Sequence, residues 1–151
     1  MFIKEVQDQF IKAGWYEGRN VKRNFDKIKN FNKIPVFLKD FLYEYGNLEV
    51  KTLIDNAAGL LDFKVVAKGR YSIANYLTTP RYYGNVYTFP IAYYHLDFVY
   101  IECDSQGRVY LAGEFPCMVS NDFKTGIEKI VMEDYTDIFH WDPETNEWLQ
   151  E

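Results

Sequence analysis

The sequence predicts a single α+β domain in which helices come first and an antiparallel sheet follows. Its 151 residues suit one domain with a sizeable core and leave little room for a second. Apolar residues recur at helical spacing before Gly46, whereas strand-like alternation begins at Leu48. Helices and strands that are segregated along the chain are typical of α+β folds, while their alternation would favour α/β.

Three helices are expected before the first strand. Residues 2–12 carry apolar side chains at helical spacing, which predicts an amphipathic helix. A second helix is expected from about Asn20 on the same grounds. Pro35 opens the third helix and Gly46 closes it, and its broad apolar stripe predicts a helix buried in the core.

The clearest strand signal is a β-hairpin turning at residues 104–107. If Gly107 adopts the left-handed conformation, a three-residue turn results and Ile101 faces Leu111. This register gives one wholly apolar face, whereas a slip by one residue would mix polar and apolar side chains. The other face carries aromatic and polar side chains: Phe98, Tyr100, Glu102, Tyr110 and Ala112. That face is expected to be covered by helices or offered to a partner.

Shorter signals predict the remaining elements. Strands are expected near Leu48, within Leu60–Ala67, at Val86–Ile91 and at Phe115–Val119, with a turn at residues 55–59. The stretch 69–83 is ambiguous and is assigned a short helix at 73–77. Asn121 or Asp122 is expected to cap a final helix that runs to about Met132.

Charge is distributed unevenly along the chain. Residues 1–81 hold 14 Lys/Arg and 9 Asp/Glu, whereas residues 82–151 hold 3 and 13. Such asymmetry bears on partners and association rates rather than on the fold. The acidic tail, 134–151, is rich in aromatic residues and is expected to pack on, or extend from, a domain formed by 1–133.

No catalytic or metal-binding arrangement stands out. His95 and His140 lack further His or Cys residues at zinc-ligand spacing. If His95 and Cys103 lie on one strand, they are about 26 Å apart at about 3.3 Å per residue, too far for a nucleophile–base pair. Phosphate-binding and nucleophile-elbow motifs do not occur. The sequence thus predicts no catalytic, cofactor-binding or metal-binding residues, and it favours a binding protein over an enzyme.

Several classes of partner and location are disfavoured as well. No apolar run is long enough to span a membrane, and the first residues are too charged for a signal peptide. Cys103 and Cys117 are expected to be reduced core thiols of a cytoplasmic protein. A basic run could touch phosphates, but a solvated helix face is favoured over nucleic-acid binding. The run consists of Lys22, Arg23, Lys27, Lys29 and Lys33.

The most informative surface signal is a cluster of six tyrosines within nineteen residues: Tyr82, Tyr83, Tyr87, Tyr93, Tyr94 and Tyr100. Tyrosine provides a large contact area at low entropic cost, and carboxylates steer basic partners. About half of these rings are expected to belong to the rim of the core. The predicted partner-binding residues are Tyr93, Tyr94, Asp97, Tyr100 and Glu102, with Asp134, Asp137 and Trp141 in reserve.

A series of short motifs follows a characteristic order along the chain. The first are Ala13-Gly14-Trp15-x-x-Gly18-Arg19 and the end of the Pro35 helix, Phe41-Leu42-x-x-Tyr45-Gly46-Asn47-Leu48-x-Val50. The next are Pro90-Ile91-Ala92, Asp104-x-x-Gly107-Arg108-Val109-Tyr110-Leu111 and the last helix. In this order, over roughly residues 2–133, they resemble the third clade of the SUKH superfamily of bacterial immunity proteins. Two motifs depart from the family pattern, since the family usually has Phe-Gly-Gly at 45–47 and Pro-Ile-Gly at 90–92.

The resemblance implies a mostly antiparallel, curved sheet with helices packed on it. It also implies a protein that binds and neutralises a cognate polymorphic toxin, often a nuclease. The leading hypothesis is a cytoplasmic immunity protein that inhibits a basic toxin by stoichiometric binding. It is expected to be a monomer or weak homo-oligomer that binds neither nucleic acid nor membrane. The alternative is an intracellular scaffold or peptide-binding regulatory module of the Smi/Knr type.

Overall fold

The computed structural model describes residues 1–53, 59–69, 71–95 and 98–150. The strands in this part of the chain form one curved antiparallel sheet, in which spatial order follows chain order. They are β1 Glu49–Lys51, β2 Leu60–Asp62, β3 Thr88–Tyr94, β4 Val99–Asp104, β5 Val109–Ala112, β6 Cys117–Ser120, β7 Phe139–Asp142 and β8 Glu147–Gln150. The helices are α1 Lys4–Lys12, α2 Val36–Tyr45, α3 Lys64–Ala67, α4 Ile73–Thr78 and α5 Phe123–Met132. The predicted α+β class is confirmed.

The main core lies between one face of the sheet, the inner face, and helices α1, α2 and α5. Phe10 of α1, Leu42 of α2 and Val131 of α5 are completely buried there. Ile101 of β4 and Val109 of β5 belong to the same core and lie on the inner face of the sheet. The amphipathic patterns predicted from the sequence therefore correspond to helix faces that bury their apolar stripes against one side of the sheet.

The predicted hairpin is confirmed in its register. Ile101 pairs with Leu111 and Cys103 with Val109 across β4 and β5. Gly107 has a φ of 89°, a left-handed conformation that suits glycine. Local turn chemistry and the apolar pattern were sufficient to specify this element.

The second helix predicted to begin near Asn20 is wrong. Two single 3₁₀ turns form there instead: Lys22–Asn24 and Phe31–Lys33. Asn30, between them, has a φ of 66°, which a continuous right-handed helix does not allow. Phe25 is completely buried beside Tyr43 of α2, so tertiary packing of aromatic rings overrides a weak helical pattern.

The sheet continues beyond the elements that the sequence indicated. Phe115–Val119 was predicted as the last strand, but β7 and β8 follow α5 and extend the same sheet. Trp141 pairs with Trp148 across these two strands. The acidic tail therefore forms two strands that extend the sheet next to β6. That residues 1–133 form a domain of their own stays a prediction.

The chain also reverses direction a few residues later than expected. Tyr94 at the end of β3 pairs with Val99 at the start of β4, so His95 lies in the turn between two strands. The assumption that His95 and Cys103 share one strand is wrong. Cys103 pairs with Phe89 at the other end of β3, so the two side chains are still far apart.

Two further features bear on chemistry and location. Cys103 and Cys117 are buried and not joined by a disulfide in the part of the chain that the structure describes. Within the same residues, every helix is too short or too polar to traverse a lipid bilayer. The turn predicted at residues 55–59 lies largely outside the described residues.

Candidate functional site

A β-bulge at Ile91 decides which of Tyr93 and Tyr94 faces away from the core. The pairing register of β3 with β4 shifts by one residue at this point. Because side chains alternate along a strand, an extra residue inverts the alternation beyond it. Tyr93 therefore shares the outer face with Tyr100, its cross-strand partner, whereas Tyr94 lies in the core and is only 2% exposed.

Glu102 also lies on the outer face of β4, yet it is completely buried. Helix α4 and the loop after it fold over this carboxylate. The hydroxyls of Tyr76, Tyr83 and Thr88 donate hydrogen bonds to it over 3.0, 3.3 and 2.8 Å. Arg81 pairs with both of its oxygens, and Nε lies 2.9 Å from Oε1. Both oxygens have several donors, so the carboxylate holds this loop on the sheet.

These observations correct two of the predicted contact residues. Tyr94 and Glu102 are both enclosed by the protein, so neither is offered to a partner. Burial and the Glu102 charge raise the pKa values of Tyr76 and Tyr83, which keeps both phenols protonated as donors. The Glu102 carboxylate instead acts inside the molecule, by positioning the aromatic side chains around it.

Three adjoining clefts open on the outer face beside the Glu102 carboxylate and the loop that it holds. The first, of about 380 Å³, is lined by Val65, Tyr71, Tyr93, His95 and Tyr100. The second, of about 400 Å³, shares Tyr71 and Tyr100 with the first and adds Phe98 and Tyr82. The third, of about 470 Å³, shares Tyr82 with the second and adds Phe115 and Trp141. We name this surface the aromatic face, made of Tyr71, Tyr82, Tyr93, Phe98, Tyr100, Phe115 and Trp141.

Several rings of the aromatic face are open to solvent. Phe98 and Phe115 are 76% and 78% exposed, and Tyr82 and Tyr100 are 64% and 42% exposed. Contiguous exposed apolar surface marks interaction sites, and aromatic residues are enriched at the centres of interfaces. The third cleft also contains Glu114, so this end of the surface carries negative charge.

The reserve residues are divided between this surface and another region. Trp141 lies on the aromatic face, and its ring centroid is 5.3 Å from that of Trp148. Asp134 and Asp137 lie between α5 and β7, and neither lines the three clefts. Thr136 donates two hydrogen bonds to the Asp134 carboxylate, which lower its pKa. Asp97 lies outside the described residues.

Four residues of the aromatic face were not among the predicted contact residues. Tyr82 and Phe98 were noted only as members of the tyrosine cluster and of the hairpin's other face, and Tyr71 and Phe115 were missed altogether. Tyr71 falls in the stretch whose structure was ambiguous, and no local signal places its ring beside β3 and β4. Phe115 carried a usable signal, since it lies directly before Pro116 in a short link between two strands. A large apolar ring in such a link is difficult to bury, and it is therefore a candidate for contact with a partner.

A separate basic cleft lies on the other side of Tyr71. It has a volume of about 560 Å³, and its lining includes Lys27, Lys29 and Lys68. The two lysines from the predicted basic run are exposed, as expected for a solvated face. Among the described residues, no group of three or more His, Cys, Asp or Glu side chains is arranged to hold a metal ion.

Comparison with protein-family models gives a match over most of the chain. A family model described as SUKH-3 immunity protein matches residues 2–133. No curated protein and no solved structure shows significant similarity to the chain. The match includes β1 to β6 and the part of the aromatic face that they carry, and it stops before the β7–β8 hairpin that contributes Trp141.

Proposed function

This chain belongs to the SUKH-3 immunity protein family, and from that premise we propose that it neutralises one cognate toxin by stoichiometric binding at the aromatic face. The observation that carries the proposal is the series of three adjoining clefts with exposed Phe98, Tyr82 and Phe115 rings. Proteins of this family generally act without catalysis. Inhibition then requires only that the bound chain cover the toxin's working surface.

The distribution of charge supports a basic toxin. Residues 82–151 contain ten more acidic than basic side chains, and they provide most of the aromatic face. Complementary charge accelerates association and disfavours partners of the wrong sign. A nuclease must attract nucleic acid phosphates, so its cleft is basic. Carboxylates such as Glu114, beside Phe115, would occupy the positions of phosphates in such a cleft.

The proposal is tested with the toxin domain encoded next to this chain, by calorimetric titration and by an assay of toxin activity. We expect a one-to-one complex with a dissociation constant on the order of nanomolar and loss of toxin activity at equimolar amounts. Affinity should fall as salt is raised, mainly through slower association. The absence of binding to that toxin would overturn the proposal.

Two variants on the aromatic face and one control variant locate the interface. Phe98→Ala and Tyr82→Ala remove exposed rings from the aromatic face, and each should weaken binding by at least about tenfold. Tyr16→Ala removes a comparably exposed tyrosine from the turn after α1, and it should leave affinity unchanged. Equal losses from Tyr16→Ala would place the interface elsewhere. Binding to several unrelated peptides, but not to the toxin, would favour a scaffold module of the Smi/Knr type.

A further inference from the structure

The first cleft of the aromatic face has the composition of an aromatic cage. The Tyr71 and Tyr100 rings meet edge to face at 5.4 Å, and the Tyr93 ring lies 5.2 Å from Tyr100. His95 closes one side, perpendicular to Tyr93 at 5.0 Å. Tyrosine rings present negatively polarised faces, and such faces attract organic cations.

A buried carboxylate lies next to two members of this cage, Tyr93 and His95. Asp62 is the cross-strand partner of Tyr93, so its side chain shares the outer face with that ring. It is almost completely buried, and its Oδ2 lies 3.4 Å from Nε2 of His95. The other oxygen accepts the backbone N–H of Lys64 at 2.8 Å. Asp62 therefore adds negative potential close to Tyr93 and Tyr71.

The third observation is an unsatisfied hydroxyl. Tyr71 Oη is buried and has no hydrogen-bond partner among the residues that the structure describes. Burial is the main reason that the Tyr71 pKa is raised, and nearby Tyr100, Glu102 and Asp62 raise it further. The phenol therefore stays neutral. An unsatisfied buried hydroxyl is costly, and hydrogen bonding at the edge of the cage is incomplete among the described residues.

We propose that this cage receives one arginine side chain of the toxin. The inference rests on the proposed function and deepens it by naming the chemical group that is recognised. A guanidinium stacks on aromatic rings and carries a positive charge, so it can contact the Tyr100 and Tyr93 rings in the field of the Asp62 carboxylate. A neutral apolar side chain would gain nothing from the Asp62 charge or from the negatively polarised faces of the rings.

The test uses the free 151-residue chain and a small probe, Nα-acetyl-arginine amide. Tyrosine resonances in the NMR spectrum are followed as the probe is added. We expect saturable shifts confined to Tyr71, Tyr93 and Tyr100. The citrulline analogue has the same shape but no charge, so its affinity should be at least about fivefold lower. Equal affinity for citrulline, no saturable shift, or shifts confined to other tyrosines would overturn the proposal.

Variants supply a second readout. Tyr100→Leu keeps an apolar side chain of similar reach but removes one aromatic face, and it should reduce probe affinity by about fivefold. Tyr16→Leu is the matched control and should leave affinity unchanged. If Tyr100→Leu fails to fold, the comparison of arginine with citrulline on the unaltered chain still decides the matter.

Failure of this inference can be distinguished from failure of the proposed function. Toxin binding without a response to the arginine probe would refute the cage and leave stoichiometric inhibition standing. A response to the probe without toxin binding would refute the proposed function and the assignment of the arginine to a toxin. In that case the cage would remain a site for guanidinium groups.

Discussion

Arg81 and Glu102 form a bidentate ion pair that holds the loop after α4 on the outer face of the sheet. Arg81 Nε donates to Oε1 over 2.9 Å, and its terminal nitrogen donates to Oε2. Glu102 is completely buried, while the Arg81 side chain remains partly exposed. The pair links a strand of the core to the loop that carries Tyr82, so the stability of the fold and the shape of the aromatic face depend on the same contact.

Replacing the buried Glu102 carboxylate should lower the stability of the fold. Glu102→Gln removes the charge opposite Arg81 and leaves at least one of the five donor groups without a good acceptor. We expect the free energy of unfolding, measured in urea, to fall by about 2–4 kcal/mol. Glu144→Gln, at an exposed position in the turn between β7 and β8, is the control and should change it by less than about 0.5 kcal/mol. If Glu102→Gln lowers the free energy of unfolding no more than the control does, the Arg81–Glu102 pair does not hold the loop on the sheet.

The β7–β8 hairpin should stabilise the part of the chain that the family model matches. The Trp148 ring lies 5.6 Å from Tyr83 and 5.8 Å from Tyr110, both of which are buried. Trp148→Ala removes these contacts, and we expect it to lower the free energy of unfolding by about 1–3 kcal/mol. Leu149→Ala, at the exposed neighbouring position, should have little effect in the same urea titration.

Truncation after Glu133 tests the same hairpin more severely. It removes β7 and β8 together and exposes the edge of β6, which invites association between chains. We expect a lower unfolding midpoint and concentration-dependent aggregation, measured by circular dichroism and light scattering. A monomer of unchanged stability would instead show that residues 1–133 form an independent domain.

The cap of α5 should give a pH-dependent contribution. Asp122 accepts hydrogen bonds from the backbone N–H and hydroxyl of Thr125 at 2.9 and 2.8 Å, and they lower its pKa from the ordinary 3.8. Because the folded-state pKa is lowered, the stabilisation is present above the unfolded pKa and is lost as pH falls through the folded one. Asp122→Ala should cost about 1 kcal/mol at pH 7 and less near pH 3, by urea denaturation. Asp122→Asn retains an acceptor, and it should lose little at either pH.

Glu133 should show the opposite pH dependence. Burial raises its pKa above the ordinary 4.5, although Thr52 and Tyr94 donate hydrogen bonds to it. With a raised folded-state pKa, the stabilising contribution is present below the unfolded pKa and is lost as pH rises through the folded one. Glu133→Gln should therefore raise the free energy of unfolding at pH 7 by up to about 0.5 kcal/mol, since solvent screens this partly exposed group. The gain should disappear near pH 4, and a loss of stability at pH 7 would contradict this account.

Local chemistry was enough to predict much of the fold. Gly107 specifies the hairpin turn, Pro35 and Gly46 delimit α2, and Asp122 caps α5. In each case the interaction partners lie within a few residues, so the sequence contains all the groups that matter. The stretch after Asn20 did not follow its helical pattern, because its aromatic rings pack against a distant helix.

What the sequence determined by itself was the fold class, the register of the central hairpin and the presence of surplus tyrosines in an acidic half. Which of these side chains face solvent was decided only by the tertiary structure. The bulge at Ile91 turns Tyr93 outward and Tyr94 inward, and a loop some twenty residues away buries Glu102. Burial depends on which distant segments pack together, and alternation along one strand does not contain that information.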